Sequence, residues 1–247
     1  MSFEIFNELE ILQKSLNLVF IVISLIIGFL IIYRYFQYKS PVFITVGLAW
    51  VFMSSSWWPI SINFLLIGFL DVSLPPFWYL FVERAFIMPA LIFWFYSFTE
   101  LAVVSYKKEI RYVSIIFFII LELITISILI IDYELIGSPI PGKSYEYSHT
   151  TLNLVVDLIA LVLVLITGIL FSHQSMLSEN IKIKWKGRFL LISFISFTIG
   201  SIMNGLLHII IPMNALSIIL IRIILISSAI EYYLGFFLPD VILKYLK

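Results

Sequence analysis

The chain has 247 residues, of which 62% are hydrophobic and 12% charged, against roughly 45–50% and 25% in a soluble domain. Mean hydropathy is +1.11 and the formal charge is zero. Too few polar side chains exist to coat a water-soluble globule, which excludes secreted domains, cytosolic enzymes and free nucleic-acid binders; the lack of cysteine excludes disulfides and thiolate chemistry.

Residues 3–12 are semi-apolar and predict a short surface helix. Glu4, Glu8 and Glu10 stand where a cleaved leader needs positive charge, and no small-residue cleavage site follows the first apolar run. Seven stretches then reach the ~20 residues needed to cross a bilayer as a helix: about 16–37, 41–64, 76–104, 112–133, 150–173, 188–211 and 214–238. Hydrocarbon offers no partner to open backbone groups, and Ile21–Ile32 shows none of the two-residue period of a barrel. The expected fold is therefore all-α, a single polytopic domain over 1–247. Pro59 and Pro89 predict kinks in the second and third helices, and Pro75-Pro76 opens the third.

Lysine and arginine set the expected orientation. Arg34 and Lys39, Lys107, Lys108 and Arg111, Lys182 to Arg188, and Lys244 with Lys247 fall on alternating loops, opposite Lys14 and Lys143. An odd number of spans then puts the N-terminus outside and the C-terminus in the cytoplasm. Past the last span, Pro239 predicts a short helix at the inner surface, with Ile242 and Leu246 on one apolar stripe.

Ionisable groups inside spans are costly and mark candidate sites. Glu83, Arg84, Asp157, Asn204, His208 and Arg222, with Trp57 and Trp58, converge on the outer half of the bundle. Polar stripes place them inward: Thr150, Asn153 and Asp157 on helix 5, Ser201, Asn204 and His208 on helix 6, and Ser54, Trp57 or Trp58, and Ser61 on helix 2. Gly200 and Gly205 suit close helix approach. Arg222 is expected to pair with Asp157 or Glu83, since an arginine cannot lose its proton. Glu122 stands alone at mid-depth as a neutral structural group, and Glu231 snorkels toward the cytoplasm. The six polar residues and two tryptophans named first are the candidate ligand-binding residues.

Catalytic and cofactor signatures are missing. His149, His173 and His208 form no zinc or haem motif, no nucleophile elbow or phosphate loop occurs, and helix 7 has no lysine within the membrane for a retinal Schiff base. No metal, cofactor or catalytic residue is assigned.

From Pro41 to Val104 the chain has an aromatic second helix, Gly47-Leu-Ala-Trp50 to Trp57-Trp58. Phe77-Trp78 opens the third helix, which carries Pro89 and the run Phe93–Phe98. With the basic loop before it, this pattern resembles the N-terminal seven-helix sensor region of prokaryotic histidine kinases. The resemblance implies sensing at or within the membrane and relay to a kinase. No output domain follows Lys247, so a cytoplasmic signalling partner is expected. The functional expectation is a receptor-like sensor, integral to the cell membrane, that binds a small molecule or membrane lipid. A small transporter or transporter subunit using the same charged layer is the alternative, and an intramembrane enzyme ranks third.

Overall fold

The computed structural model describes residues 3–102, 105–207 and 210–246. Seven helices are long and apolar enough to cross a membrane. Span 1 is α1 (Glu8–Tyr38). Span 2 is α2 (Val42–Met53), a 3-10 turn (Ser54–Trp57) and α3 (Trp58–Leu70). Span 3 is α4 (Pro76–Arg84) followed by α5 (Ile87–Leu101). Spans 4 to 7 are α6 (Lys107–Ile131), α7 (Thr151–Met176), α8 (Ile181–Leu206) and α9 (Ala215–Phe236), and the short α10 (Asp240–Tyr245) closes the chain.

Six spans form a closed ring. In order around it, α1 packs on α2, α2 on α5, α5 on α7, α7 on α8, α8 on α9, and α9 back on α1. Gly28 of α1 and Gly47 of α2 permit the closest of these approaches, because a methyl group on Gly47 would stand 2.6 Å from the Gly28 carbonyl. Span 4 is outside the ring. It leans on α4 and α5, and only 11% of its apolar window is buried. The ring is filled by Trp50, Trp94, Phe194 and Tyr232, all essentially inaccessible. Trp50 and Tyr232 stack at 4.3 Å, and Trp94 Nε1 donates to Thr167 Oγ1 at 2.7 Å.

Two segments outside the spans differ from expectation. Residues 3–12 do not form a surface helix. A single 3-10 turn (Phe3–Ile5) precedes Asn7, which caps α1 in a reciprocal box with Glu10, and span 1 therefore starts at Glu8. The connection after span 4 is an antiparallel hairpin, β1 (Gly137–Ile140) and β2 (Lys143–His149). Its turn is Pro141-Gly142, with Gly142 at φ 80°, the left-handed value that glycine accepts at the third position of a tight turn.

The hairpin is clasped to the start of span 1 and the end of span 2. Lys143 pairs with Glu10, and Lys14 donates to Glu146 at 3.1 Å. Asn63 Nδ2 donates to the Tyr145 carbonyl at 3.2 Å, and Tyr147 stacks on Tyr79 at 4.0 Å. These contacts bury Glu10 and Lys14, which as lone charges on a membrane helix would be costly. The Glu10 carboxylate holds the Lys143 ammonium above the ordinary lysine range. That contribution is complete below the range and is lost only as pH rises through it.

The opposite end of the bundle is basic. There Arg34 lies over the Phe237 ring at 5.0 Å, Arg111 pairs with Glu100, and Lys182 donates to Asp240 at 2.6 Å, tying α10 to the start of α8. α10 buries Leu243, with Ile242 half-buried beside it.

Candidate functional site

The two breaks in spans 2 and 3 create the site. In span 2 the backbone tightens to 3-10 over Ser54–Trp57, just before Pro59, which has no amide proton to continue the α-helical ladder. The Ser55 carbonyl accepts from the Trp58 N–H instead, and Asn17 of α1 braces the break, donating from Nδ2 to the Trp57 carbonyl at 3.0 Å and to Ser61 Oγ at 2.9 Å. In span 3 the helix ends at Arg84 and restarts at Ile87, because Pro89 has no N–H for the Ala85 carbonyl four residues back. Arg84 thus occupies the last turn of α4, where free carbonyls favour a cation. The breaks face each other, with Phe86 5.1 Å from both Trp58 and Phe52.

On the hairpin side of the aromatic layer lies a cavity of about 390 Å3. Of the candidate residues, Trp57, Glu83, Arg84, Asp157 and Asn204 line it, joined by Ser56, His149 and Ser201. Its centre is a bidentate ion pair: Arg84 Nη1 and Nη2 donate to the two Asp157 oxygens at 2.5 and 3.1 Å. Glu83 Oε1 lies 3.6 Å from Arg84 Nη2 and 3.4 Å from His149 Nε2. Asn153 Nδ2 meets His149 Nδ1 at 3.2 Å. Glu83 and Arg84 are almost fully buried, whereas Asp157 remains about one-third exposed, toward the cavity.

Four expectations about side chains are corrected. Arg222 pairs with neither Asp157 nor Glu83; its Nη2 donates to Asn204 Oδ1 at 2.8 Å, and among the described residues no carboxylate lies within 4.0 Å of it. The cause is the ring order, which puts α8 between α7 and α9. Trp58 does not face the cavity. Its Nε1 donates to Ser54 Oγ at 3.1 Å and its ring packs on Phe86, because three residues per turn in the 3-10 segment rotate the helix beyond it. Of the stripe on span 2, only Trp57 lines the cavity; Ser54 turns toward Trp58 and Ser61 toward Asn17 of α1. Gly205 makes no close approach, since a methyl group there would meet nothing within 4 Å, whereas Gly200 sits tightly against Leu225. Finally, Glu231 does not snorkel: it lies beside Ser196 and Ser227, with Oε2 buried and unbonded. His208 lies outside the described residues.

His149 is a functional candidate that the polar stripes do not reveal. Hydropathy places it at a span end, but β2 carries it over the cavity mouth. The period-two pattern Tyr145-Glu-Tyr147-Ser-His149 after Pro141-Gly142 is the available signal. Among the described residues no group of three or more His, Cys, Asp or Glu is placed to hold a metal ion.

No protein-family model matches the chain, and no curated protein matches it.

Proposed function

We propose that the chain is a receptor-like sensor, integral to the cell membrane, with its N-terminus outside and its C-terminus in the cytoplasm. A small molecule or lipid head group binds in the cavity around Arg84, and movement at the facing breaks of spans 2 and 3 reaches the basic end, where a signalling partner docks. The observation that carries this reading is a half-open, largely apolar cavity that has the buried Glu83 and Arg84 in its wall and is closed below. Trp50, Trp94, Phe194 and Tyr232 stand between it and the basic end, so a ligand has a seat but no continuous path through. The gathering of Arg34, Lys39, Lys107, Lys108, Arg111 and Lys182 at the end away from the hairpin supports the orientation. The resemblance of residues 41–104 to kinase-linked sensor regions points the same way.

Two results are expected. An accessibility tag at Pro141 is labelled from outside intact cells, while one at Glu179, in the turn between α7 and α8, is labelled only after permeabilisation. Labelling of both from one side would overturn the topology. For binding, mass spectrometry of the purified chain finds a retained compound that is lost when Ser201→Phe fills the cavity. Proteoliposomes then show no flux of that compound; measurable flux would replace the sensor by the transporter that the same charged layer could serve.

A further inference from the structure

A second cavity lies on the other side of the Arg84 side chain. Its volume is about 320 Å3, and it runs between α6 and α7. Arg84, Ile87, Leu91 and Ala160 line both cavities, so these four residues form the wall between them. Their walls differ. The first carries Glu83, His149, Asp157, Ser201 and Asn204, whereas the second is hydrocarbon apart from Arg84, Glu122, Thr125 and Asn153. The second is also open sideways. Because α6 leans on α4 and α5, and α7 on α8 and α5, a groove remains between α6 and α7. Ile124 and Ile159 on its walls are about half exposed.

The groove follows α6 from Ile128 to Phe117 and α7 from Leu152 to Leu163. At 1.5 Å per residue that is about 16 Å. This is close to half the ~30 Å hydrocarbon thickness, the depth taken by the acyl chain of one leaflet. It begins beside Ile136, next to the hairpin, and ends at mid-height.

The polar end lacks hydrogen-bond partners. Arg84 Nε is a buried donor without an acceptor, Glu83 Oε2 a buried acceptor without a donor, and Ser201 Oγ is likewise unbonded. Arg84 and Glu83 are 4% and 5% exposed. Leaving such groups unmatched is costly, and a ligand that matches them must bring an acceptor to Arg84 and a donor to Glu83. Arg84 is engaged by Asp157, and Glu83 has only His149 and the flank of Arg84 beside it, so a cationic donor would complement its free oxygen. A phosphate with an attached primary ammonium supplies both in one head group. A quaternary ammonium supplies the charge and no N–H.

We propose that the two cavities are one site for a phospholipid of the phosphoethanolamine type, its head group beside Glu83 and Arg84 and one acyl chain in the groove between α6 and α7. The inference rests on the ligand-binding reading above and names its ligand class. The lipid enters sideways past span 4, without crossing the hairpin.

The test uses the full chain in detergent, supplied with palmitoyl-oleoyl phosphatidylethanolamine or the matching phosphatidylcholine, and read by native mass spectrometry. One phosphatidylethanolamine is expected to stay bound, with phosphatidylcholine weaker by about tenfold for the missing donor. Thr125→Trp, on the peripheral helix and with no hydrogen bond to the ion pair, is expected to abolish retention while leaving the thermal midpoint in lipid-free detergent unchanged. Glu122→Leu, which completes the apolar wall, is expected to strengthen it. Equal retention of the two lipids, or undiminished retention by Thr125→Trp, would overturn the proposal. A retained water-soluble compound that ignores Thr125→Trp would overturn the lipid and leave the sensor cavity standing. Retention of nothing at all would remove both.

Discussion

Asp157→Ala is expected to lower the stability of the folded bundle by about 2–4 kcal/mol. Arg84 is 4% exposed, and both its terminal nitrogens donate to Asp157. Removing the carboxylate strands a guanidinium that cannot give up its proton. The cost stays at the lower side of the usual range for a broken buried pair because Glu83 remains 3.6 Å away and Asp157 already meets the cavity. Arg84→Met combined with Asp157→Leu and Glu83→Gln should recover most of the loss, since it leaves no buried carboxylate without its cation. Equilibrium unfolding in mixed micelles measures both. An Asp157→Ala variant as stable as the parent would mean that Arg84 is held by something other than this pair.

Arg222 is expected to behave in the opposite sense. Were it paired with a carboxylate, as its depth in the membrane implies, its removal would destabilise. Its one described partner is the neutral Asn204 Oδ1, and its Nη1 is buried without an acceptor. Arg222→Met in an Asn204→Leu background removes a buried charge and both halves of its hydrogen bond together. Stability should rise by about 1–3 kcal/mol. The single Arg222→Met gains less, because Asn204 loses its donor. A fall in stability of the double variant would overturn this account of Arg222.

How far the sequence reaches can be judged from these two arginines. Their burial and depth are legible, because hydropathy locates spans and a charge within a span must turn inward. Their partners are not, because pairing depends on ring order, and no periodicity within one helix reports which helices are neighbours. Trp57 and Trp58 show a second limit. Pro59 announces a break, but the 3-10 turn that answers it changes the number of residues per turn and decides which tryptophan faces the cavity. The hairpin shows a third. Its Pro-Gly turn and alternating tyrosines are readable, yet a short polar stretch between two long apolar ones reads as a loop. With it go His149 and the explanation of how Glu10 and Lys14 are tolerated inside a helix.

The clasp also orders the making of the protein. Lys14 and Glu146 are separated by 132 positions, and Asn63 and Tyr145 by 82. At ~5–20 residues per second of synthesis, about 7–26 s pass between the appearance of Lys14 and that of its partner. By the end of that interval four spans have emerged, and the start of the first has had nothing to cover its charges. Until then Glu10 and Lys14, four positions apart, have only each other, and the first turns of α1 are expected to stay among water and head groups. Arrival of Glu146 and Lys143 lets the first turns of α1 sink beneath the hairpin. The earliest segment to enter the bilayer is thus completed only after the fourth, and a chain stalled before Lys143 would keep its N-terminal charges open to the aqueous phase.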